Sequence, residues 1–286
     1  MRDKIAALFW PISAPIRFIQ DHFKATLLVL IILALLWPAG EIRQPNLKRI
    51  EVTGPIMSAH EVVEQVRDAQ KNGYKGVLLI VDSPGGAVGP SVEIAYAIKR
   101  LAQTMPVVVY ARGVMASGGY YAGIWGHTII ANPGADIGSI GVILQGANFK
   151  GLMDKVGIQP QVVKAGRFKE AGTPTRAWSE EERAELQRLV DKSYEMFVGD
   201  VASARKLNLA QKANFAEGRI FTAAEAKAIG LIDQLGTLFD AEEELIRRAK
   251  VSEPVWEEKS EMEKFFERIE GQSAKFLASL VMGGMW

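Results

Sequence analysis

The sequence contains no cysteine. Disulfides, thiolate-ligated zinc and a cysteine nucleophile are therefore excluded, and the lack is compatible with an oxidising compartment. Histidine is scarce: His22, His60 and His127 are the only three. They form no H-E-x-x-H or other metal spacing, so neither a metal nor another cofactor is expected. A charge excess is missing too. Lys and Arg number 34 against 33 Asp and Glu, a formal net charge of +1, which gives no field to attract nucleic acid. No internal repeat is present. What remains is 286 residues, 48% hydrophobic and 23% charged, enough for one large globular domain or two small ones.

The amino end has a different character. Over residues 1–24, Arg2, Lys4, Arg17 and Lys24 are interspersed with Leu8, Phe9, Trp10, Ile12, Ile16 and Phe18, and Pro11 and Pro15 break any long helix. Such a segment suits a membrane surface, with a disordered arm as the alternative. Residues 25–40, ATLLVLIILALLWPAG, carry no charge. As a helix these sixteen residues span about 24 Å, short of a hydrocarbon core of about 30 Å but anchored by Lys24 and Trp37. No polar face interrupts the run, and no small-x-small site follows it, so it reads as an anchor rather than a buried helix or a cleaved signal peptide. Four basic residues precede it and three (Arg43, Lys48, Arg49) follow closely. This slight bias puts the amino terminus in the cytoplasm and the rest of the chain outside it.

From Leu47 onward, strand and helix patterns alternate. A strand over 47–52 precedes Gly54-Pro55. Ser58 and Glu61 have capping-box spacing ahead of a helix with Val62, Val63, Val66 and Ala69 on its apolar face, stopped by Asn72-Gly73. Residues 76–81, GVLLIV, read as a buried parallel strand. The turn Asp82-Ser83-Pro84-Gly85-Gly86 leads to a helix over 91–101. A strand follows at 107–110, then a turn at Gly113, a helix over 120–125 and a strand at 128–131. This order implies an α/β domain on one mainly parallel sheet. Beyond it, the Gly-rich stretch 132–146 has no clear period. A short helix is expected at 152–156, a strand at 161–163, and a long amphipathic helix over 179–201 with an S-x-x-E start. The stretch 218–222 leads to a helix over 224–229. A helix over 253–282, apolar along Met262, Phe265, Phe266, Ile269, Phe276, Leu277 and Leu280, is expected to pack on its own domain, a neighbouring subunit or the membrane.

The chemistry is concentrated in residues 106–121, PVVVYARGVMASGGYY. Ser117, between small residues where a strand gives way to a helix, has the layout of a nucleophile elbow, with main-chain N–H groups close by. Close helix–sheet packing alone would also account for the small residues. A serine needs a base. No acid–histidine arrangement is evident, so a Ser-His-Asp triad lacks support. A lysine can serve if burial lowers its pKa from ~10.4 by about three units. Lys164 and Lys169, in VVKAGRFKEAGTPT, suit this better than lysines on polar helix faces, although Glu170 adjoins Lys169. Composition does not choose between them.

Four stretches together resemble the bacterial signal peptide peptidase A family, membrane-anchored Ser-Lys proteases with a fold similar to the Clp protease and crotonases. They are DSPGG at 82–86, MASGGYY at 115–121, ADIGSIGV at 135–142 and KAGRFK at 164–169; GRIFTAAEAKAIGLID at 218–233 is also similar. The resemblance runs in order from about Leu47 to Ala249, far more specific than any one motif. It implies Ser117 as nucleophile, Lys169 as general base, Ser139 as a hydroxyl near the lysine, and an oxyanion hole from the N–H groups of Gly86 and Gly118. It also implies cleavage of remnant signal peptides and other apolar peptides at the bacterial inner membrane, with the catalytic domain outside the cytoplasm. One such domain is present rather than two in tandem. The resemblance therefore implies a ring-like homo-oligomer of eight subunits whose sites draw Ser and Lys from adjacent chains. The expected organisation is an amino-terminal segment at 1–24, a membrane span at 25–40, a protease domain at 41–252 and a tail at 253–286. Two rivals remain: a scaffold that kept the fold and lost the chemistry, and a crotonase-like acyl-thioester enzyme, which the membrane run and the missing nucleotide signal disfavour.

Overall fold

The computed structural model describes residues 44–258 continuously and, before them, residues 22–25, 27, 28 and 31. Contacts divide the chain into Met1–Gln44 and Pro45–Trp286. In the first unit residues 23–25, 27, 28 and 31 are helical, and Phe23, Leu27, Leu28 and Ile31 are exposed. The expected segments over 1–24 and 25–40 otherwise lie outside the described residues, as does the helix expected beyond 258. No helix among the described residues is long and apolar enough to cross a membrane.

The second unit is built on β2 (Gly76–Ser83), whose first six residues are all buried. Such a strand must be covered on both faces. On one side Val77, Leu79 and Val81 join Val63 and Val66 of α1 (His60–Lys71) and Ile94, Ile98 and Leu101 of α2 (Val88–Ala102). On the other, Leu78 and Ile80 meet Ala241 and Leu245 of α7 (Leu238–Ala249). The two-residue period of the strand thus makes a three-layer α/β domain. Strands β1 (Leu47–Thr53), β2, β3 (Val107–Ala116), β4 (Thr128–Ala131) and β7 (Gln234–Leu235) pair in that order, all parallel. The mainly parallel α/β sheet expected from the sequence is what forms.

Several local expectations are corrected. Ser58 does not close a capping box: its Oγ accepts the His60 N–H, and Ala59 caps α1 without a side-chain bond. The helix expected over 91–101 starts earlier, at Val88, and the helix expected over 120–125 starts at Gly118 as α3 (Gly118–Gly123). Gly113 makes no turn, because β3 continues through it to Ala116. Residues 161–163 form no strand; they are exposed and have no ladder partner among the described residues. Residues 253–258 are not helical. They run beside the outer edge of β1, where Trp256 bridges Leu47 in parallel and Glu257 donates its N–H to the Leu47 carbonyl. The Arg49 guanidinium lies 4.0 Å from the Trp256 ring centre.

Candidate active site

Strand β3 changes partner part-way along. Through Ala111 it pairs with β4, and from Val114 to Ala116 it pairs with β5 (Asp136–Gly138), which also pairs antiparallel with β6 (Ile220–Thr222). The last strand residue is followed at once by Ser117, with φ 51° and ψ −124°. A non-glycine residue there carries strain of about 1–3 kcal/mol. Backbone bonds on both sides hold it: the Ser117 N–H donates to the Gly138 carbonyl at 2.7 Å, and its carbonyl accepts the Tyr121 N–H at 2.9 Å. Helix α3 is buried throughout, and the Tyr120 hydroxyl donates to the Leu231 carbonyl at 2.8 Å. Burial raises the pKa of that phenol, which keeps it a neutral donor.

The Gly85-Gly86 turn packs against this corner. The Ile56 N–H donates to the Gly85 carbonyl at 2.9 Å, and the Ala87 N–H donates to the Ile56 carbonyl at 2.8 Å. In a parallel bridge the residue between two such bonds turns its own N–H and C=O away from the partner. Gly86 is that residue. A Cβ on Gly86 would lie 2.2 Å from the Ile56 carbonyl oxygen, and one on Gly85, whose φ is 97°, would lie 2.6 Å from the Gly118 nitrogen. Only glycine permits this approach. Gly86 and Gly118 both line the cleft with Ser117, and the N–H of neither donates to another described residue. Ser83, fully buried, steadies the turn by donating to the Gly54 carbonyl (2.6 Å) and accepting the Gly85 N–H (3.1 Å).

A cleft open to solvent, about 480 Å³ counting the solvent at its mouth, lies between this corner and α5 (Glu180–Arg205). Its walls mix the apolar side chains of Val88, Tyr121, Val142, Ile143, Met196 and Phe197 with Ser91, Ser193 and the glycines at 86, 118 and 141. Tyr121 stacks on Phe197 at 4.4 Å between ring centres, and its hydroxyl donates to Asp200. Burial, and then that carboxylate, raise the Tyr121 pKa and hold the phenol neutral.

Among the described residues, no lysine, histidine or carboxylate lines this cleft. The Nδ1 of His127 accepts the Val107 N–H at 3.1 Å, at the start of β3. The register sets six β2 steps, about 20 Å, between Val107 and Met115, so His127 lies at the opposite end of β3 from Ser117. Desolvation and the nearby Arg248 cation lower its pKa. His60 is exposed at the start of α1, and His22 belongs to the amino-terminal unit. Ser139, also at positive φ (48°), directly follows the Gly138 carbonyl that holds Ser117, and its own N–H donates to the Arg219 carbonyl at 2.7 Å.

The two candidate lysines differ. Lys164 Nζ is 2.7 Å from Glu170 Oε2, and Arg176 reaches the same oxygen at 2.9 Å. These partners hold the Glu170 carboxyl below its usual range. Lys169 is exposed, outside the cleft, and makes no ion pair with a described residue. The neighbouring acid that complicated the case for Lys169 is thus occupied elsewhere. The structure brings Ser117, Gly86 and Gly118 together and leaves Lys169 apart from them within one chain. Ser83, Ser91 and Asp200 were not singled out by sequence. Ser83 alone had a signal, its place inside the Asp-Ser-Pro-Gly-Gly turn.

Comparison with known proteins adds a decisive match. The model of peptidase family S49 fits residues 99–252. The chain belongs to peptidase family S49. Its similarity to relatives supports a serine peptidase: it is 40% identical over 209 residues to the slr0021 protein of Synechocystis, covering 72% of this chain and 76% of that protein. It is 33% identical over 215 residues to protease 4 of Salmonella typhi (71% of this chain, 35% of that protein) and 30% identical over 191 residues to the chloroplastic serine protease SPPA of Arabidopsis thaliana (66% and 28%). This S49 chain therefore spans about a third of the length of the last two. Among solved structures, the S97A mutant of the membrane-bound stomatin-specific protease 1510-N matches with a TM-score of 0.51 and 16% identity, covering 77% of this chain and all of that one. At that identity it speaks for the shared fold.

Proposed function

We propose that this S49 peptidase is a membrane-anchored endopeptidase using a Ser117–Lys169 dyad to cut remnant signal peptides and other apolar segments near the bacterial inner membrane. The observation that carries the reading is the corner itself: a strained serine beside two unpaired backbone N–H groups in a cleft with apolar side chains on its walls. Lys169, as the uncharged amine, takes the Ser117 proton while Oγ attacks the peptide carbonyl. The oxyanion is held by Gly86 and Gly118 N–H groups, each worth about 2.7–4 kcal/mol in comparable chemistry. The lysine ammonium then protonates the leaving amine, giving an acyl-enzyme. The neutral lysine next deprotonates a water, which attacks the ester, and Oγ leaves with its proton restored. Ser139 borders this path as a hydroxyl that can steady the amine.

The base comes from a neighbouring subunit in a homo-oligomer of eight. Two features support this: Lys169 is exposed away from the cleft, and the arm leading to it bears the exposed apolar residues Leu152, Val156, Ile158, Val162 and Val163. A patch of this kind on a soluble domain marks an interface. The run over 25–40, with exposed Phe23, Leu27, Leu28 and Ile31 at its start, supports a single-pass anchor with the catalytic domain outside the cytoplasm.

Mixing tests the shared site. Ser117→Ala and Lys169→Ala chains, each inactive alone on a fluorogenic apolar peptide, should regain activity when dissociated and reassembled together, because some sites then combine an intact serine with an intact lysine. Activity in Lys169→Ala alone would remove the dyad. Two inactive parents with an inactive mixture would place both residues in one chain.

A further inference from the structure

We propose that Asp82 is a positioning residue for the nucleophile: its carboxylate holds open the bulge in β3 that delivers Ser117 to the cleft. This rests on the reading of Ser117 as the nucleophile. Strands β2 and β3 run in register from Val77 opposite Val107 to Val81 opposite Ala111, and the next pair is Ser83 opposite Met115. Two steps on β2 thus face four on β3. The additional residues fall where β3 leaves β4 for β5, between Ala111 and Val114. A bulge of this kind bends its strand and leaves backbone groups without ladder partners.

Asp82 supplies the missing acceptor. Its Oδ1 takes the Val114 N–H at 2.9 Å. Asp82 is itself fixed, because its carbonyl accepts the Gly54 N–H at 2.9 Å and it pairs with Thr53 across β1. A Cβ on Gly113 would lie 3.0 Å from the same Oδ1, so the carboxylate fits against a bare backbone. Three residues beyond Val114, with β3 now paired to β5, comes Ser117. The next residue on β2, Ser83, faces the Gly85 N–H. Adjacent side chains therefore set the two halves of the site, Asp82 on the nucleophile strand and Ser83 on the glycine turn. The task of Asp82 is to accept one hydrogen bond, which a neutral amide oxygen does equally well.

The test uses the full-length chain carrying Asp82→Ala, Asp82→Asn or Ser117→Ala. Steady-state peptide cleavage, labelling by a fluorophosphonate (which marks a nucleophilic serine) and amide hydrogen exchange are measured on each. Loss of the clamp should lower kcat and labelling in Asp82→Ala about 10- to 100-fold, the scale of a nucleophile displaced by a fraction of an ångström to an ångström. KM should stay within about twofold of the starting protein. Asp82→Asn should restore kcat to within about threefold, since its oxygen still accepts the bond. The Val114 amide should exchange slowly in the unaltered protein and Asp82→Asn, and fast in Asp82→Ala, while Val108 and Val109 stay protected in all three. An unaltered kcat in Asp82→Ala, a loss in Asp82→Asn equal to that in Asp82→Ala, or a change confined to KM overturns the proposal. If Asp82→Ala fails to fold, the Asn variant and the unaltered protein still decide: fast Val114 exchange in either, or a tenfold loss of kcat in Asp82→Asn, overturns it. Labelling that survives Ser117→Ala defeats the nucleophile reading itself; loss of labelling there with no effect of Asp82→Ala defeats only the clamp.

Discussion

At Gly118 one added carbon should do measurable damage. Its Cβ would meet Ser91 Oγ at 2.2 Å, and Ser91 is pinned by its own bond to the Ala87 carbonyl at 2.8 Å. Gly118→Ala should therefore cut kcat at least about 100-fold, the worth of one oxyanion donor. Adding Ser91→Gly, which clears the clash, should recover about tenfold or more; this coupling is read from a double-mutant cycle of kcat/KM. The two lysines separate as simply. Lys164→Ala should leave turnover within about threefold, because its amine is committed to Glu170, whereas Lys169→Ala should abolish it. Ser117 was legible because small neighbours and a strand-to-helix change are features of adjacent residues. Ser91 and Asp82 were not, because their partners, Gly118 and Val114, lie 27 and 32 positions further along and meet them only in the folded sheet.

Helix α5 illustrates an element whose start was legible. Ser179 accepts the Glu182 N–H, and Glu182 reaches back to the Ser179 N–H. Ser179→Ala should cost about 1 kcal/mol in denaturant unfolding. The same box is tied to the arm that carries Lys169. Arg176 bridges Glu182 and Glu170, and Arg176 with the Ser179 N–H lowers the Glu182 carboxyl from 4.5 to about 2. A folded-state pKa below the unfolded value stabilises at pH above about 4.5 and loses that contribution as pH falls toward about 2. Thermal melts from pH 6 to 2.5 should show this acid-sensitive limb, and Arg176→Met should flatten it. Elsewhere the local signals misled for definable reasons. Ser58 and Glu61 have the spacing of a box, but the serine bonds two residues ahead and the helix begins beyond it. Residues 161–163 have strand composition, but a strand needs a neighbour and none among the described residues pairs with them. Gly113 read as a turn is instead the bare point of a bulge, and one strand's sequence does not reveal how its neighbour is spaced.

For the whole molecule, the α/β order was legible because each buried strand and each amphipathic helix carries its own period, and parallel strands need crossovers. The closing strap was not. Residues 253–257 bind Asn46 and Leu47 through backbone and side-chain bonds of 2.8 to 3.1 Å, and Lys48, almost fully buried, meets Asp68 and Glu257. A chain ending at residue 252 should lose about 2–4 kcal/mol of stability against one ending at 258, from several bonds of about 1 kcal/mol each, as measured by urea unfolding. Trp256→Ala should give part of that loss. The same strap stands apart from the chemistry. It fastens beside Leu47, where the chain enters the sheet, whereas the Ser117 corner lies at the other end of the strands, a β2 length of about 23 Å away. Loss of the strap should therefore loosen the end of the sheet remote from Ser117 and leave the bonds that hold the Ser117 corner in place.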